Sequence, residues 1–377
     1  MTTSSSRKQI GFWLLIGVVM IFFQVLIRGI TRLTESGLSI TEWNVVMGSL
    51  PPMNSTEWNR VYAEYMQSPQ GKIVNSDLSL SGFKNIFWWE WIHRLWARLF
   101  APVFLLPFIY FLFRKMIVRK LRWKLLFVFV LGGLQGALGW FMVSTGLTDV
   151  PWVSPYSLCA HLLLAIILFG YLVWLMLEQF YPKSDCHPEL VEGHPELVER
   201  SVTIKKSKTF FAKIILAIIF IQLGLGAFMA GGLAPAAIWY PTWPKIGTAW
   251  LPENVFTITN PQWHTLLESP AFVQLIHRST AYLLLLLIGW LWMKRKNSSE
   301  NKNALLFCNA LLAMIFIQAT LGIITVILSV GSVPVLWGVM HQAGGLITFT
   351  FALMLVYFLE EPGKISHGDK EFTEKMK

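Results

Sequence analysis

The sequence predicts an all-α integral membrane protein in which eight transmembrane helices form two pseudo-symmetric four-helix bundles, related as parallel repeats. Three observations predict it. Apolar blocks recur at bilayer-spanning length, Lys and Arg collect in alternate connections between those blocks, and one set of Gln and His residues appears twice in the same order.

Of the 377 residues, 54% are hydrophobic and 14% are charged, a balance outside the usual range of soluble domains. The formal charge of +10 does not point to nucleic acid, because the basic residues sit in short stretches between apolar blocks. The three cysteines, Cys159, Cys186 and Cys308, form no CxxC or CxxCH, which argues against a disulfide framework and against covalent attachment of a c-type haem.

The spans are expected at about 11–31, 94–113, 125–144, 159–178, 209–231, 271–293, 304–328 and 335–358. The first block follows Arg7 and Lys8 and carries no small-residue cleavage site, so it reads as a retained helix rather than a signal peptide. Eight spans place both termini on one side. Between the second and third spans lie Arg114, Lys115, Arg119, Lys120, Arg122 and Lys124, and the sixth span exits into Lys294, Arg295 and Lys296. The connections 145–158 and 329–334 contain neither Lys nor Arg. Under the positive-inside rule the termini and basic loops are expected to be cytoplasmic, and the long 32–90 and 232–270 loops to face the periplasm or the equivalent outer side.

In the first outer loop Asn54 and Glu57 have capping-box spacing, and Trp58, Val61, Tyr62 and Tyr65 follow at helical intervals. A short helix lying on the membrane surface is expected there. The second outer loop carries Trp239, Trp243, Trp250 and Trp263, suited to an aromatic belt or to capping an interfacial cavity. On the cytoplasmic side HPELVEG at 187–193 is followed by HPELVE at 194–199, a tandem copy that resembles an inserted peptide and gives His187 and His194 no ligand role.

The larger repeat carries the chemistry. The first half reads Gln24, Glu90–His93–Arg94, Gln135, His161; the second reads Gln222, Gln274–His277–Arg278, Gln318, His341. His93 and Gln135 are 42 residues apart and His277 and Gln318 are 41, and a Leu–Gly follows in both halves at Leu138–Gly139 and Leu321–Gly322. Both halves start from the cytoplasm, so their pseudo-twofold axis should run along the membrane normal. The chain then divides into an amino-terminal half 1–180, a cytoplasmic linker 181–208 with the tandem insert, a carboxy-terminal half 209–360 and a tail 361–377.

Odd-numbered spans carry a glutamine and even-numbered spans a histidine near the outer end, so the four histidines share a depth. Histidine in a span is costly unless paired or functional. Zinc or non-haem iron wants carboxylates or thiolates beside the imidazoles, whereas two neutral imidazoles on facing helices suit the axial positions of haem iron. Arg94 and Arg278 follow two of the histidines and are candidates for haem propionate contacts or for simple anchors at the interface. The glutamines either orient a histidine or join helices through backbone groups.

GITRLTESGLSITEW at 29–43, EWIHRLWAR at 90–98, QLIHRSTAY at 274–282 and HQAGG at 341–345 together resemble the haem A synthase family over nearly the whole chain. That resemblance implies oxidation of a methyl group of haem O to the formyl group of haem A by successive hydroxylations. It places the metal-ligating histidines at His93, His161, His277 and His341, with haem O in the first half and a bis-histidine haem B in the second. Glu90, His93 and His161 would form the catalytic set, and His277, His341, Arg278, Arg94 and Gln274 the cofactor-binding set. Electrons would leave through haem B to an external acceptor, a quinone-linked one among the candidates. A haem O synthase and a haem-copper terminal oxidase would be functional partners, and self-association is left open. With no cysteine in an outer loop, the chain resembles the group that works without a cysteine pair there. Two other classes compete on the residues alone: a di-haem b electron-transfer protein that converts no substrate, and a transporter.

Overall fold

The computed structural model describes residues 4–41, 50–146, 153–183, 195–231, 235–252, 255, 267–296 and 301–360, with the side chains of 146 and 195–208 left out. The helices, in chain order, are α1 Ser4–Leu33, α2 Ser55–Gln67, α3 Pro69–Ile73, α4 Leu80–Phe113, α5 Arg119–Gly146, α6 Pro155–Phe180, α7 Pro195–Ala230, α8 Ala236–Trp239, α9 Pro270–Arg295, α10 Lys302–Ile327 and α11 Val335–Glu360. Among the described residues, eight of these (α1, α4, α5, α6, α7, α9, α10 and α11) are long and apolar enough to cross a membrane, as the hydropathy predicted.

The apolar residues of α1 separate by angle. Ile10, Trp13, Leu14, Val18, Ile21 and Val25 are buried at helical spacing, while Phe12, Ile16, Val19 and Phe23 face outward, where lipid is the solvent. Burial against lipid gives no hydrophobic gain, so the contacts between spans rest on close packing and interhelical hydrogen bonds. α1 packs on α4, α6 and α11; α7 packs on α9, α11 and α6; α6 also meets α5 and α11, and α10 meets α9 and α11. α1, α6 and α11 are the most enclosed spans, and α4 and α5 the most lipid-facing.

Pro107 inside α4 cannot donate to the carbonyl of Val103, four residues earlier. The Trp13 indole of α1 donates to that carbonyl at 3.1 Å, so the proline frees an acceptor and a neighbouring span satisfies it. At the basic-loop end Lys124 pairs with Glu178 at 2.6 Å, and Lys183 and Lys213 pair with Glu360 at 3.0 and 2.7 Å. These ion pairs tie the ends of α5 to α6 and of α7 to α11.

The first outer loop departs from expectation in one respect. The capping box forms: Glu57 N donates to the Asn54 side chain at 2.9 Å, and Met53 N donates to Glu57 Oε2 at 2.8 Å. The helix it starts turns its apolar face to the beginning of α4. Trp58, Val61, Tyr62 and Tyr65 pack on Phe83 and Phe87, because α4 begins at Leu80, well before the expected start of its span at 94. Burial of the Tyr65 phenol in that cluster pushes its pKa up. The tandem copy lies mostly outside the described residues; its last part, 195–199, forms the start of α7.

The Lys/Arg asymmetry gives a topology that labelling of intact cells can test. In a background without native cysteines, Ser154→Cys should react with an impermeant thiol reagent and Lys120→Cys should not. The opposite pattern would invert the orientation.

Candidate functional site

Each of the four glutamines in an odd-numbered span reaches the same atom, the backbone carbonyl of the histidine on the next span. Gln24 Nε2 donates to His93 O at 3.3 Å, Gln135 to His161 O at 3.1 Å, Gln222 to His277 O at 2.9 Å and Gln318 to His341 O at 2.8 Å. A helix carbonyl has a second lone pair, so the bond fixes the height of the histidine without breaking its helix. Gln135 and Gln222 also bring Nε2 within 3.3 and 3.4 Å of the His161 and His277 Nε2 atoms. Of the two roles open to the glutamines, the interhelical backbone bond is the one common to all four.

The rings are packed as consistently as the backbone is held. Four residues after Gln135 and Gln318 stand Gly139 and Gly322; a Cβ there would come within 3.1 Å of His161 Cε1 and 2.9 Å of His341 Cε1. Only glycine lets the ring lie that close to the neighbouring helix. Gly226, four residues after Gln222, is looser, its Cβ reaching His277 Cε1 at 3.7 Å. In α1 the matching residue, four after Gln24, is Arg28.

In the second half the His277 and His341 rings face each other with centroids 6.4 Å apart and planes at 70°. In all four histidines Nδ1 is buried and has no hydrogen-bond partner. A buried polar atom without a partner, repeated at four equivalent places, is a group left for something other than this chain to satisfy. Among the described residues no group of three or more His, Cys, Asp or Glu could hold a metal ion, so the imidazoles are not part of a carboxylate- or thiolate-rich centre.

The polar residues outward of His93 and His277 are fastened differently in the two halves. Arg94 Nε donates to Glu90 Oε1 at 2.7 Å in a buried ion pair, and Arg94 Nη2 donates to Ile40 O at 2.9 Å. Glu90 Oε2 is buried with no partner. In the second half Arg278 donates to Gln274 Oε1, to Thr242 O at 2.8 Å and to Lys245 O at 3.1 Å. Gln274 Nε2 donates to Ala236 O at 2.7 Å and Tyr240 O at 3.2 Å. Both arginines read as propionate candidates therefore already bind this chain, Arg94 a carboxylate and a loop carbonyl, Arg278 the second outer loop. His264 and Trp263 lie outside the described residues.

Sequence reasoning passed over Arg28. Its Nη1 donates to Thr31 Oγ1 at 3.1 Å, its Nε is buried without a partner, and it lies within electrostatic range of Glu90, Arg94, His93 and His161. The signal was present as a spacing: Gln-x3-Gly in three units and Gln-x3-Arg in the fourth.

A family model described as cytochrome oxidase assembly protein (COX15-CtaA) matches residues 11–353. A haem A synthase of Parvibaculum lavamentivorans is 42% identical over 357 residues, covering 95% of this chain and 96% of the relative. A haem A synthase of Nitrosomonas eutropha is 39% identical over 350 residues, with 93% of both chains covered. One of Sinorhizobium medicae is 38% identical over 351 residues, covering 93% of this chain and 90% of the relative.

The contacts of the glycines rank their substitutions. Gly322→Ala should destabilise the purified protein by about 1–3 kcal/mol through overpacking against His341, whereas Gly226→Ala should stay within about 0.5 kcal/mol. Thermal unfolding in one detergent compares them, and equal effects would refute the ring-packing account.

Proposed function

The chain belongs to the COX15-CtaA family of membrane oxidoreductases that includes the haem A synthases, and from that premise we propose that it oxidises a methyl group of haem O to the formyl group of haem A by successive hydroxylations. The observation that carries the reading is the facing imidazole pair. Two imidazoles that would hold one metal ion between them need ring centres roughly 6 Å apart. The His277–His341 centroid distance of 6.4 Å fits that requirement, and each ring keeps a buried nitrogen without a protein partner.

In this reading His277 and His341 hold haem B, which supplies a one-electron relay when bound. Gln222 and Gln318 set the height of those two ligands, and Gln274 and Arg278 fasten the second outer loop over them. His93 and His161 hold the substrate in the first half. The two halves, 1–180 and 209–360, are four-helix units related by a pseudo-twofold axis along the membrane normal, with 181–208 as linker and 361–377 as tail. The span contacts support this. Exchanging α1 with α7, α4 with α9, α5 with α10 and α6 with α11 turns the contact of α1 with α11 into that of α7 with α6, and maps α6 with α11 onto itself.

Chemistry is assigned to the first half because of Glu90. At the matching place Gln274 donates to two loop carbonyls and accepts from Arg278. Glu90 pairs with Arg94, the structural role its spacing allows, but commits only Oε1 to it. Oε2 is left to take a proton from the reacting methyl group, or to set negative charge beside a cationic intermediate. Electrons pass to an external acceptor, a quinone-linked one among the candidates, haem O arrives from its synthase, and haem A is consumed by a haem-copper oxidase. The haem sites lie toward the periplasmic side of a bacterial inner membrane.

Two substitutions test separate parts of this proposal. His277→Ala or His341→Ala should strip the tightly bound haem B and abolish turnover; an unchanged haem B spectrum in either variant would end the ligand assignment. Glu90→Gln copies the second half at nearly constant shape. It should keep haem B and still take up haem O, yet lower haem A formation at least about a hundredfold or stall at a hydroxylated haem. Chromatography of extracted haems is the measurement. Wild-type haem A yield would make Glu90 structural and leave the di-haem electron-transfer reading in its place.

A further inference from the structure

Four Gln–His units share one plan, and one of them breaks it. Gln24, Gln135, Gln222 and Gln318 all bond a histidine carbonyl, and one helical turn later the residues are Arg28, Gly139, Gly226 and Gly322. The pattern makes glycine the ground plan and Arg28 the departure. The departure sits where space permits it: a Cβ would crowd the ring at Gly139 and Gly322, but meets His277 at ordinary contact distance at Gly226, the second-half counterpart of Arg28.

Arg28 is also half-buried and closely surrounded. Gly37, in the turn that follows α1, lies so close that a Cβ on it would come within 2.7 Å of Arg28 Nη1. Thr31, Ser36 and Leu38 around this turn are buried. A guanidinium offers five donors. Among the described residues Arg28 places one on Thr31 Oγ1 at 3.1 Å and one at 4.0 Å from the weak acceptor Met142 Sδ, and its Nε is buried with no partner. Glu90, within electrostatic range, makes its short bond to Arg94 instead. A half-buried cation whose buried Nε has no partner among the described residues is costly in a span and points to an anion that completes its shell.

Depth identifies that anion. Gln24 is level with His93 O, so Arg28, four residues further along α1, lies about 6 Å nearer the outer-loop end. This is the side of His93 on which Glu90 also lies, and Arg94 and Arg278 are held by Glu90, Ile40 and the second outer loop. Resting on the assignment of haem O to the first half, we infer that Arg28 is a substrate-binding residue that takes a propionate carboxylate of haem O through its forked guanidinium. The second half has only Gly226 at that place. Arg28 therefore gives the first half a carboxylate-specific handle, used to orient the tetrapyrrole about the His93–His161 axis.

Arg28→Gly restores the plan of the other three units and should fold, which makes it the informative variant. Absorbance titration of the purified haem-B-loaded protein compares haem O with its propionate dimethyl ester, which keeps the ring, iron and tail but has no carboxylate. The wild-type protein should bind haem O on the order of tenfold or more tighter than the diester. Arg28→Gly should lose that preference, binding both as the wild type binds the diester, with unchanged haem B content. Arg28→Lys should recover only part of the preference, since a point charge cannot offer the fork. Wild-type discrimination in Arg28→Gly, or equal weakening of both ligands, would overturn the inference. A His93→Ala control separates the two levels. If haem O uptake ignores that substitution, the first-half assignment itself fails, and the Arg28 inference falls with it.

Discussion

A side-chain amide held to the backbone carbonyl of a histidine, repeated four times, is the constraint on which the rest of this structure depends. Each such bond is worth only about 0.6–1.7 kcal/mol in a membrane, so the glutamines are not chiefly sources of stability. They fix where along its helix each histidine stands relative to the neighbouring span. Because the acceptor is the backbone of the histidine itself, the bond sets the position of its Cα and leaves each ring Nδ1 without a partner in the chain. Packing then sets the ring: Gly139 and Gly322 let His161 and His341 lie against the facing helix, and any side chain there would move them. Position comes from a hydrogen bond and orientation from the absence of a methyl group.

With every one of these histidine carbonyls held by a glutamine, the two sets of residues differ in the side chains around them. The second half presents Gln274 and Gly226 where the first presents Glu90 and Arg28. Gln274 donates through its amide nitrogen to two loop carbonyls and accepts from Arg278 through its amide oxygen, so both polar atoms of its side chain have a partner. Glu90 keeps one oxygen uncommitted, and Arg28 keeps a buried Nε without a partner. Charged groups with incomplete shells are costly in a protein interior, so a half built only to hold a cofactor has no reason to carry them. On the proposed assignment, the half with Gln274 and Gly226 holds the electron relay, and the half with Glu90 and Arg28 handles a substrate that must enter, react and leave.

Much of this could be read from the residues, and the limits have physical causes. All eight spans were visible, because hydropathy over bilayer length is a direct measure of transfer out of water. The start of α4 at Leu80 was not, since the turns before residue 94 extend beyond the apolar block and are stabilised by Tyr65 and Trp58 from another helix. The helix α2 and its apolar spacing were legible. Amphipathic spacing says that a face is covered without saying by what, and α4 rather than lipid covers it. Arg94 and Arg278 were legible as interfacial cations, but their partners include loop carbonyls, which have no signature in a sequence. Arg28 escaped because a lone arginine near the end of a span ordinarily reads as an anchor. The Gln-x3-Gly spacing of the other three units is in the sequence, but that this position packs beside a histidine ring is shown only by the geometry.

The distribution of those glycines bears on how two halves of one plan can come to do different things. At Gly139 and Gly322 divergence is closed: any Cβ would displace a histidine, so both halves keep glycine. At the α1 and α7 positions the His277 ring stands off by 3.7 Å from a would-be Cβ, and a longer side chain can pass beside the histidine without moving it. That is where Arg28 entered, enclosed by the turn at Gly37. A charge could be added to one half at this point while the four histidines, their glutamines and the contacts between spans stayed as they were. The steric latitude of one site in each half thus sets where functional asymmetry can be built, and the hydrogen-bonded glutamines ensure that building it leaves the histidines in place.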